Sequence, residues 1–420
     1  MERYKEYKDS QNVFLREIPV GWNSVKMKYL FIERSEKNHP NEPMLSATQN
    51  EGVILQSKYK NRVVVVNKGF EGLKLVKVGD FVIHLRSFQG GIEYTYDQGI
   101  ISSAYTILKP RSHKNADYFK YLFKSTRFID MLKTCVTGIR EGQNINYSKL
   151  KQYFIPIPPL PEQRAIVSYL DVKCAKCDKL IAGNEKQITL LQELKQRIIA
   201  DAVTRGINKN VKYKKTNVSW LGEVPEHWEL MRNKSLLILT DEKVGNRKGI
   251  TLLSLTKQGV IVRELSEGKG KFPKDFNNYL IVNPNNVVFC LFDVDETPRT
   301  VGLVRKYGML TGAYTNFEVN EKLVLPEFIY YYYLQLDDVK GLRPYYTGLR
   351  KVVKTNTFLQ LRTPTPPLSE QRSIVSYINE KVSKIDLLTS KLQKEIEHLK
   401  EYKQRLISDV VTGQIKVCTE

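Results

Sequence analysis

Two short stretches carry the side chains best suited to chemistry in this 420-residue chain. The first, HLRSFQGGIEY from His84, places Arg86, Ser87, Phe88 and Gln89 ahead of a Gly90-Gly91 pair, just past a strand-like run. Arginine and glutamine can make paired hydrogen bonds to the edges of guanine and adenine. The second, TGIREGQN from Thr137, adds Arg140, Gln143 and Asn144. Further along, TPRTVG offers Arg299 and Thr300, and TGLRKVVK offers Arg350, Lys351 and Lys354. Lys58, Lys60 and Arg62 suit phosphate contacts, which position a protein on DNA without reading its sequence. A solvated basic surface is the competing reading for each of these residues.

Other motifs point to chemistry less well. Cys174-Ala-Lys-Cys177 has the spacing of a zinc or redox pair, but no second pair or nearby histidine completes four ligands. A thiol packed as a small hydrophobe fits better there. The run Tyr330–Tyr333 could stack bases, or pack in a core with one wet face. Asp293, Asp295 and Glu296 could be offered as a metal-binding nuclease cluster. The sequence has no phosphate-binding GxxxxGK[ST] loop, no HExxH and no nucleophile elbow. The Pro-Pro sequences IPPL and TPPL lack the polar and aromatic flanks of an amino-methyltransferase signature.

Charge narrows the partner. The chain carries 66 Lys and Arg against 45 Asp and Glu, a net charge of +21. Residues 1–157 hold 25 basic and 15 acidic side chains and residues 211–365 hold 23 and 16, so the excess sits in these two segments. A polyanion would meet them there, and nucleic acid leads the candidates. No apolar run approaches the roughly 20 residues of a membrane span. The opening residues lack a signal-peptide core, and five cysteines suit reduced thiols.

The elements that must position these residues are written twice. Sliding the chain by 208 positions aligns Pro158–Ile207 with Pro366–Ile415 without a gap, and 26 of the 50 pairs are identical. Weaker echoes flank this block: EIPVGW from Glu17 and EVPEHW from Glu223, SAYT from Ser103 and GAYT from Gly312. The chain reads as a tandem duplication. Its four segments are 1–157, 158–210, 211–365 and 366–420, two diverged and two better preserved. In the last segment Ile374, Ile378, Val382, Ile385, Leu388, Leu392, Ile396, Leu399, Tyr402, Leu406 and Val410 recur at steps of three and four. That is the period of a helix. The earlier copy sets Ile166, Leu170, Cys174, Cys177, Leu180, Asn184, Ile188, Leu191, Leu194, Ile198 and Ala202 on the same positions. Two helices of about 40 residues, each about 60 Å long, with stripes this narrow favour pairing as an antiparallel coiled coil. Asn184 either fixes the register, meets a partner or is exposed. The diverged segments read as mixed α/β, with strands around NRVVVVN (Asn61), FVIHL (Phe81), AYTIL (Ala104) and NVVFCLF (Asn286). Helices are expected over Ala116–Met131 and Pro326–Leu336. The fold class is therefore mixed α+β: two globular heads joined by two long helices in a pseudo-twofold tandem repeat.

The phrases IPIPPLPEQRAIV from Ile155 and TPTPPLSEQRSIV from Thr363, each opening a long helix, resemble the specificity subunits of type I restriction–modification systems. WLGEVPEHW from Trp220 is similar to that family's opening phrase for a target recognition domain, weakened in the first copy to FLREIPVGW from Phe14. The resemblance implies target recognition domains at 1–157 and 211–365, each reading half of a bipartite double-stranded DNA site. It implies that the helices at 158–210 and 366–420 set the spacer and dock two methyltransferase (modification) subunits. It further implies a chain without catalysis or cofactor of its own. S-adenosylmethionine, ATP and magnesium would belong to the modification and restriction subunits of a cytoplasmic complex that methylates adenine and cleaves DNA. A coiled-coil DNA-binding scaffold, and an enzyme that both recognises and cuts or methylates, remain the alternatives.

Overall fold

The computed structural model describes residues 2–49, 51–59, 69–112, 116–137, 144–218, 220–263 and 275–417. The chain forms two compact units. Unit 1 comprises Met1–Glu185 with Gln393–Glu420, and unit 2 comprises Lys186–Leu392.

At the centre of unit 1 is a four-stranded antiparallel sheet of β1 (Phe31–Arg34), β2 (Phe81–Ile83), β3 (Glu93–Tyr94) and β4 (Thr106–Pro110). Its order is β1-β4-β2-β3. Phe81, Val82 and Ile83 are all buried because the sheet is covered on both faces. Against it lie α1 (Ala116–Leu122) and α2 (Thr126–Lys133). The single helix expected over Ala116–Met131 is thus broken. Ser125 caps α2 by accepting the Phe128 N–H at 3.4 Å, and Ser, Thr, Asp and Asn side chains end one helix and start another in this way. The break folds Phe128 back onto Phe123, with ring centroids 4.7 Å apart in the aromatic core. The expected strand at NRVVVVN lies outside the described residues.

A helix of 46 residues, α3 (Leu160–Arg205), follows. Unit 2 then repeats the plan with β5 (Leu237–Thr240), β6 (Val287–Phe289), β7 (Val301–Leu303) and β8 (Thr315–Val319), in the order β5-β8-β6-β7. Helix α4 (Pro326–Asp338) covers this sheet, and α5 (Leu368–Val411) ends the fold. Within α4, Tyr331, Tyr332 and Tyr333 are buried, so the tyrosine run is core. Tyr331 donates to Asn379 just as Tyr121 donates to Asp171. These bonds equate Tyr331 with Tyr121.

The repeated phrase has a structural job in both units. In unit 1, Glu162 accepts hydrogen bonds from the Trp22 indole at 3.0 Å and from the Tyr4 hydroxyl. In unit 2, Glu370 accepts from the Trp228 indole at 3.1 Å and lies 2.8 Å from His227 Nε2. The neighbouring glutamines turn back on the prolines: Gln163 donates to the Pro158 carbonyl and Gln371 to that of Pro366, both at 2.7 Å. The glutamate binds the first turn of each long helix to the start of its own head, and the glutamine closes that turn on the helix entry.

Segments of the two long helices run antiparallel in each unit. Ile166, Leu170 and Cys174 share a core with Leu406, Ile407 and Val410 in unit 1, closed by Lys403 on Asp178 at 2.6 Å. In unit 2, Ile199, Ala202 and Val203 share a core with Ile374 and Ile378, closed by Lys195 on Asp386 at 2.7 Å. The buried face is not the even stripe expected. Leu180, Leu194, Leu388 and Tyr402 are 45–49% exposed, while Ile199, Val203, Ile407 and Val411 are buried. Near its ends each helix packs on a head as well as on the other helix, which widens and rotates its buried face. Cys174 and Cys177 are buried in the helix pair as free thiols, and burial pushes the Cys174 thiol up to about 11. Asn184 is half-buried, and its Nδ2 has no hydrogen-bond partner among the described residues.

Candidate nucleic-acid interface

In unit 1 the chain leaves β2 through a tight turn that carries Arg86, Ser87, Phe88 and Gln89. Arg86 and Gln89 are exposed. Ser87 is completely buried, its Oγ accepting the His84 N–H at 2.9 Å. Phe88 packs half-buried against the core of the head. His84 Nδ1 accepts the Arg86 N–H at 3.2 Å, which fixes the start of the turn. The turn closes with the Gly91 N–H on the Ser87 carbonyl at 2.8 Å. Gly91 sits at φ 85°, where a Cβ would lie 2.1 Å from the Phe123 carbonyl oxygen, so only glycine fits. Two side chains therefore face solvent and two hold the turn.

Lys58 is exposed and its ammonium lies 3.1 Å from the Asp97 carboxylate. The Leu55 N–H and Lys58 together hold that carboxyl below its usual range. Asn144 is exposed on a short strand paired with Val136–Thr137. Lys60, Arg62, Arg140 and Gln143 lie outside the described residues.

In unit 2 two segments come together. The Asp293 N–H donates to the Arg350 carbonyl at 2.8 Å. Asp295 accepts from Arg343 at 2.9 Å and from the Tyr346 hydroxyl at 3.3 Å, with the Lys351 ammonium at 3.3 Å. The Arg343 hydrogen bond, followed by Lys351, depresses the Asp295 pKa. The three acids of the candidate metal cluster are thus latches between loops, Glu296 lying 3.8 Å from Lys351 and Asp293 3.9 Å from Arg350. Among the described residues no group of three or more His, Cys, Asp or Glu could hold a metal ion.

The latch leaves Arg350 facing solvent, its side chain 78% exposed, with Lys351 and Lys354 close by in the chain. Arg299 and Thr300, expected to face DNA, are engaged inside the head. Arg299 bonds Asp338 at 3.0 Å. Thr300 is buried and its N–H donates to Asp337 at 2.9 Å. The sequence reading of this loop missed Asp337 and Lys340. The Asp-Asp-Val-Lys-Gly run at the end of α4 was the available signal.

The two heads share one plan, carry exposed basic loops and are each tied to the paired helices by the same phrase. The description "Type I restriction modification DNA specificity domain" matches residues 8–190 and 225–398. The chain belongs to that family. This specificity subunit is 23% identical over 376 residues to the type I restriction enzyme MjaVIII specificity subunit of Methanocaldococcus jannaschii, covering 86% of this chain and 82% of the relative. Its fold is shared with a chain from a structure described as "Structural basis underlying complex assembly and conformational transition of the type I R-M system". That likeness has a TM-score of 0.69 at 15% identity, over 95% of this chain and 99% of the other. The HsdS subunit from Thermoanaerobacter tengcongensis matches with a TM-score of 0.50 at 14% identity, over 95% and 98% of the two chains. A type I specificity subunit recognises DNA sequence, and that is the function of this chain. Among its described residues no helix is long and apolar enough to cross a membrane.

Proposed function

We propose that each unit of this specificity subunit reads one half of a two-part double-stranded DNA site through its own exposed loops. Arg86, Gln89, Asn144 and Lys58 face the DNA from unit 1, and Arg350, Lys351 and Lys354 do so from unit 2; Lys60, Arg62, Arg140 and Gln143, outside the described residues, are assigned the same role from their sequence alone. The paired helices hold the spacing between half-sites and carry the docking surfaces for two modification subunits. The chain contributes recognition and no chemistry. Methyl transfer to adenine and ATP-dependent cleavage belong to partner subunits that bind S-adenosylmethionine, ATP and magnesium in the cytoplasm. The observation that supports this reading is the contrast between an identical Glu–Trp anchor in both units and unlike loops beyond it. Specificity of this kind needs a constant frame and variable contacts.

The test replaces residues 1–157 with the equivalent segment of a relative, co-expresses modification subunits and maps methylated adenines. One half of the site should change and the other stay. A change in both halves together would overturn the assignment of one head to one half-site. Methylation or cleavage by the purified chain alone would favour the combined enzyme instead.

A further inference from the structure

Each head contains a part-buried lysine whose ammonium is spent entirely on partners within its own head. In unit 1, just after α1, Lys124 Nζ donates to the Gly90 carbonyl at 2.9 Å, the Gln49 carbonyl at 3.0 Å and Glu93 Oε1 at 2.5 Å. In unit 2, just after α4, Lys340 Nζ donates to the Val294 carbonyl at 3.1 Å, the Thr297 carbonyl at 3.3 Å and Asp337 Oδ1 at 2.9 Å. An ammonium has three N–H donors and no acceptor. Both therefore use every donor they have, on one carboxylate and two loop carbonyls. Gly90 directly follows Arg86–Gln89 in the same turn, and Val294 and Thr297 belong to the loop latched to Arg350.

The carboxylates are buried, Glu93 at 0% and Asp337 at 4% exposure. Glu93 has little other compensation: its Oε2 has no hydrogen-bond partner among the described residues, and His84 Nε2 stands 3.6 Å from Oε1. Without Lys124 this would be a buried charge facing only a histidine. Lys340 gives a second, independent indication. It sits in the left-handed region at φ 49°, just beyond the end of α4, where the Gly341 N–H closes on the Leu336 carbonyl at 2.9 Å. Helices favour glycine at that position. A lysine kept there holds something a glycine cannot.

The two clamps are not copies of each other. Glu93 comes from a strand and Asp337 from a helix, and Lys124 lies opposite Leu334 once Tyr121 is equated with Tyr331. Two diverged heads have reached the same arrangement by different routes.

We propose that Lys124 and Lys340 are positioning residues for DNA reading, three-donor clamps that act without touching DNA: Lys124 fixes the turn that carries Arg86 and Gln89, and Lys340 fixes the loop against which Arg350 and Lys351 are latched. The inference rests on the DNA-reading function proposed above. The experiment uses the full chain with modification subunits. It measures binding to duplexes carrying the mapped site and to duplexes with one base pair changed in either half. The variant pairs Glu93→Gln with Lys124→Met, and Asp337→Asn with Lys340→Met, remove clamp and carboxylate charge together, so no bare buried charge is left to unfold the head. Melting curves confirm folding. Each pair should reduce discrimination in its own half-site about tenfold, the size of one mismatched base pair, and leave the other half unchanged. Lys124→Arg and Lys340→Arg should lose discrimination too, because a planar fork cannot meet three acceptors set around a point. Wild-type discrimination in the folded neutral pairs or the arginine variants would overturn the clamp, as would equal losses in both halves. A wild-type chain that directs methylation to no two-part site would instead sink the function on which the clamp rests.

Discussion

Glu162 and Glu370 receive the same indole hydrogen bond, at 3.0 Å in unit 1 and 3.1 Å in unit 2. The turn at Arg86–Gln89 and the loop at Asp293–Arg299 differ in sequence, in length and in what holds them. A histidine and a serine shape the first; an aspartate latch to Arg343 and Lys351 ties down the second. The difference separates two kinds of constraint. Where a head meets the long helices, one geometry has to be made twice and the residues stay the same. Where loops face outward, only the need for order is shared, and it is met with unrelated residues.

The largest effect should come from the shared anchor. Trp22 and Trp228 are fully buried, 1% and 0% exposed, so Trp22→Ala and Trp228→Ala should each cost about 3–5 kcal/mol in denaturant unfolding followed by circular dichroism. Similar losses would support equivalence of the two junctions; a loss confined to one would break it. A smaller effect tests the helices. Cys174 and Cys177 align with Val382 and Ile385; the double change Cys174→Val with Cys177→Ile adds volume to the packed seam and should cost about 1–3 kcal/mol. With the Cys174 thiol pushed up to about 11, the native protein should react slowly with thiol reagents at neutral pH. Rapid labelling, or a large loss of stability, would show that the thiols do more than pack.

The smallest effect concerns the loops. Asp97 in unit 1 and Asp295 in unit 2 both have depressed pKa values. The stabilisation from a depressed carboxylate is present above its unfolded pKa and is lost as pH falls through the folded value. Both loops should therefore stay closed at neutral pH and loosen only below about pH 4, seen as faster amide exchange around Leu55 and Lys351. Loosening near pH 6 would point to histidine instead.

Much of the frame was legible in the sequence because a 208-residue repeat and a three-four spacing of apolar residues are long-range, redundant signals. The break at Ser125 was not, since a single capping serine inside an apolar run says little until Phe128 is seen returning to Phe123. Arg299, Thr300 and Ser87 looked outward because loops rich in such residues usually are; nothing local marks a hydroxyl or guanidinium turned onto Asp337, Asp338 or His84. The clamps were illegible for the same reason. Lys124 and Glu93 are 31 positions apart, and only folding brings an ammonium to a carboxylate and two carbonyls.

At the far end of each long helix the same tyrosine contact recurs. The Tyr213 hydroxyl donates to the Arg205 carbonyl in unit 2 at 3.3 Å, across a peptide linker. In unit 1 the Tyr7 hydroxyl donates at 3.0 Å to the carbonyl of Gly413, the residue aligned with Arg205, and the Lys416 N–H meets the Glu2 carbonyl at 2.9 Å. What a covalent bond does in one head, non-covalent docking does in the other. Unit 1 thus holds the start of its own head against the end of the second long helix through the same kind of contact that unit 2 makes within one continuous stretch.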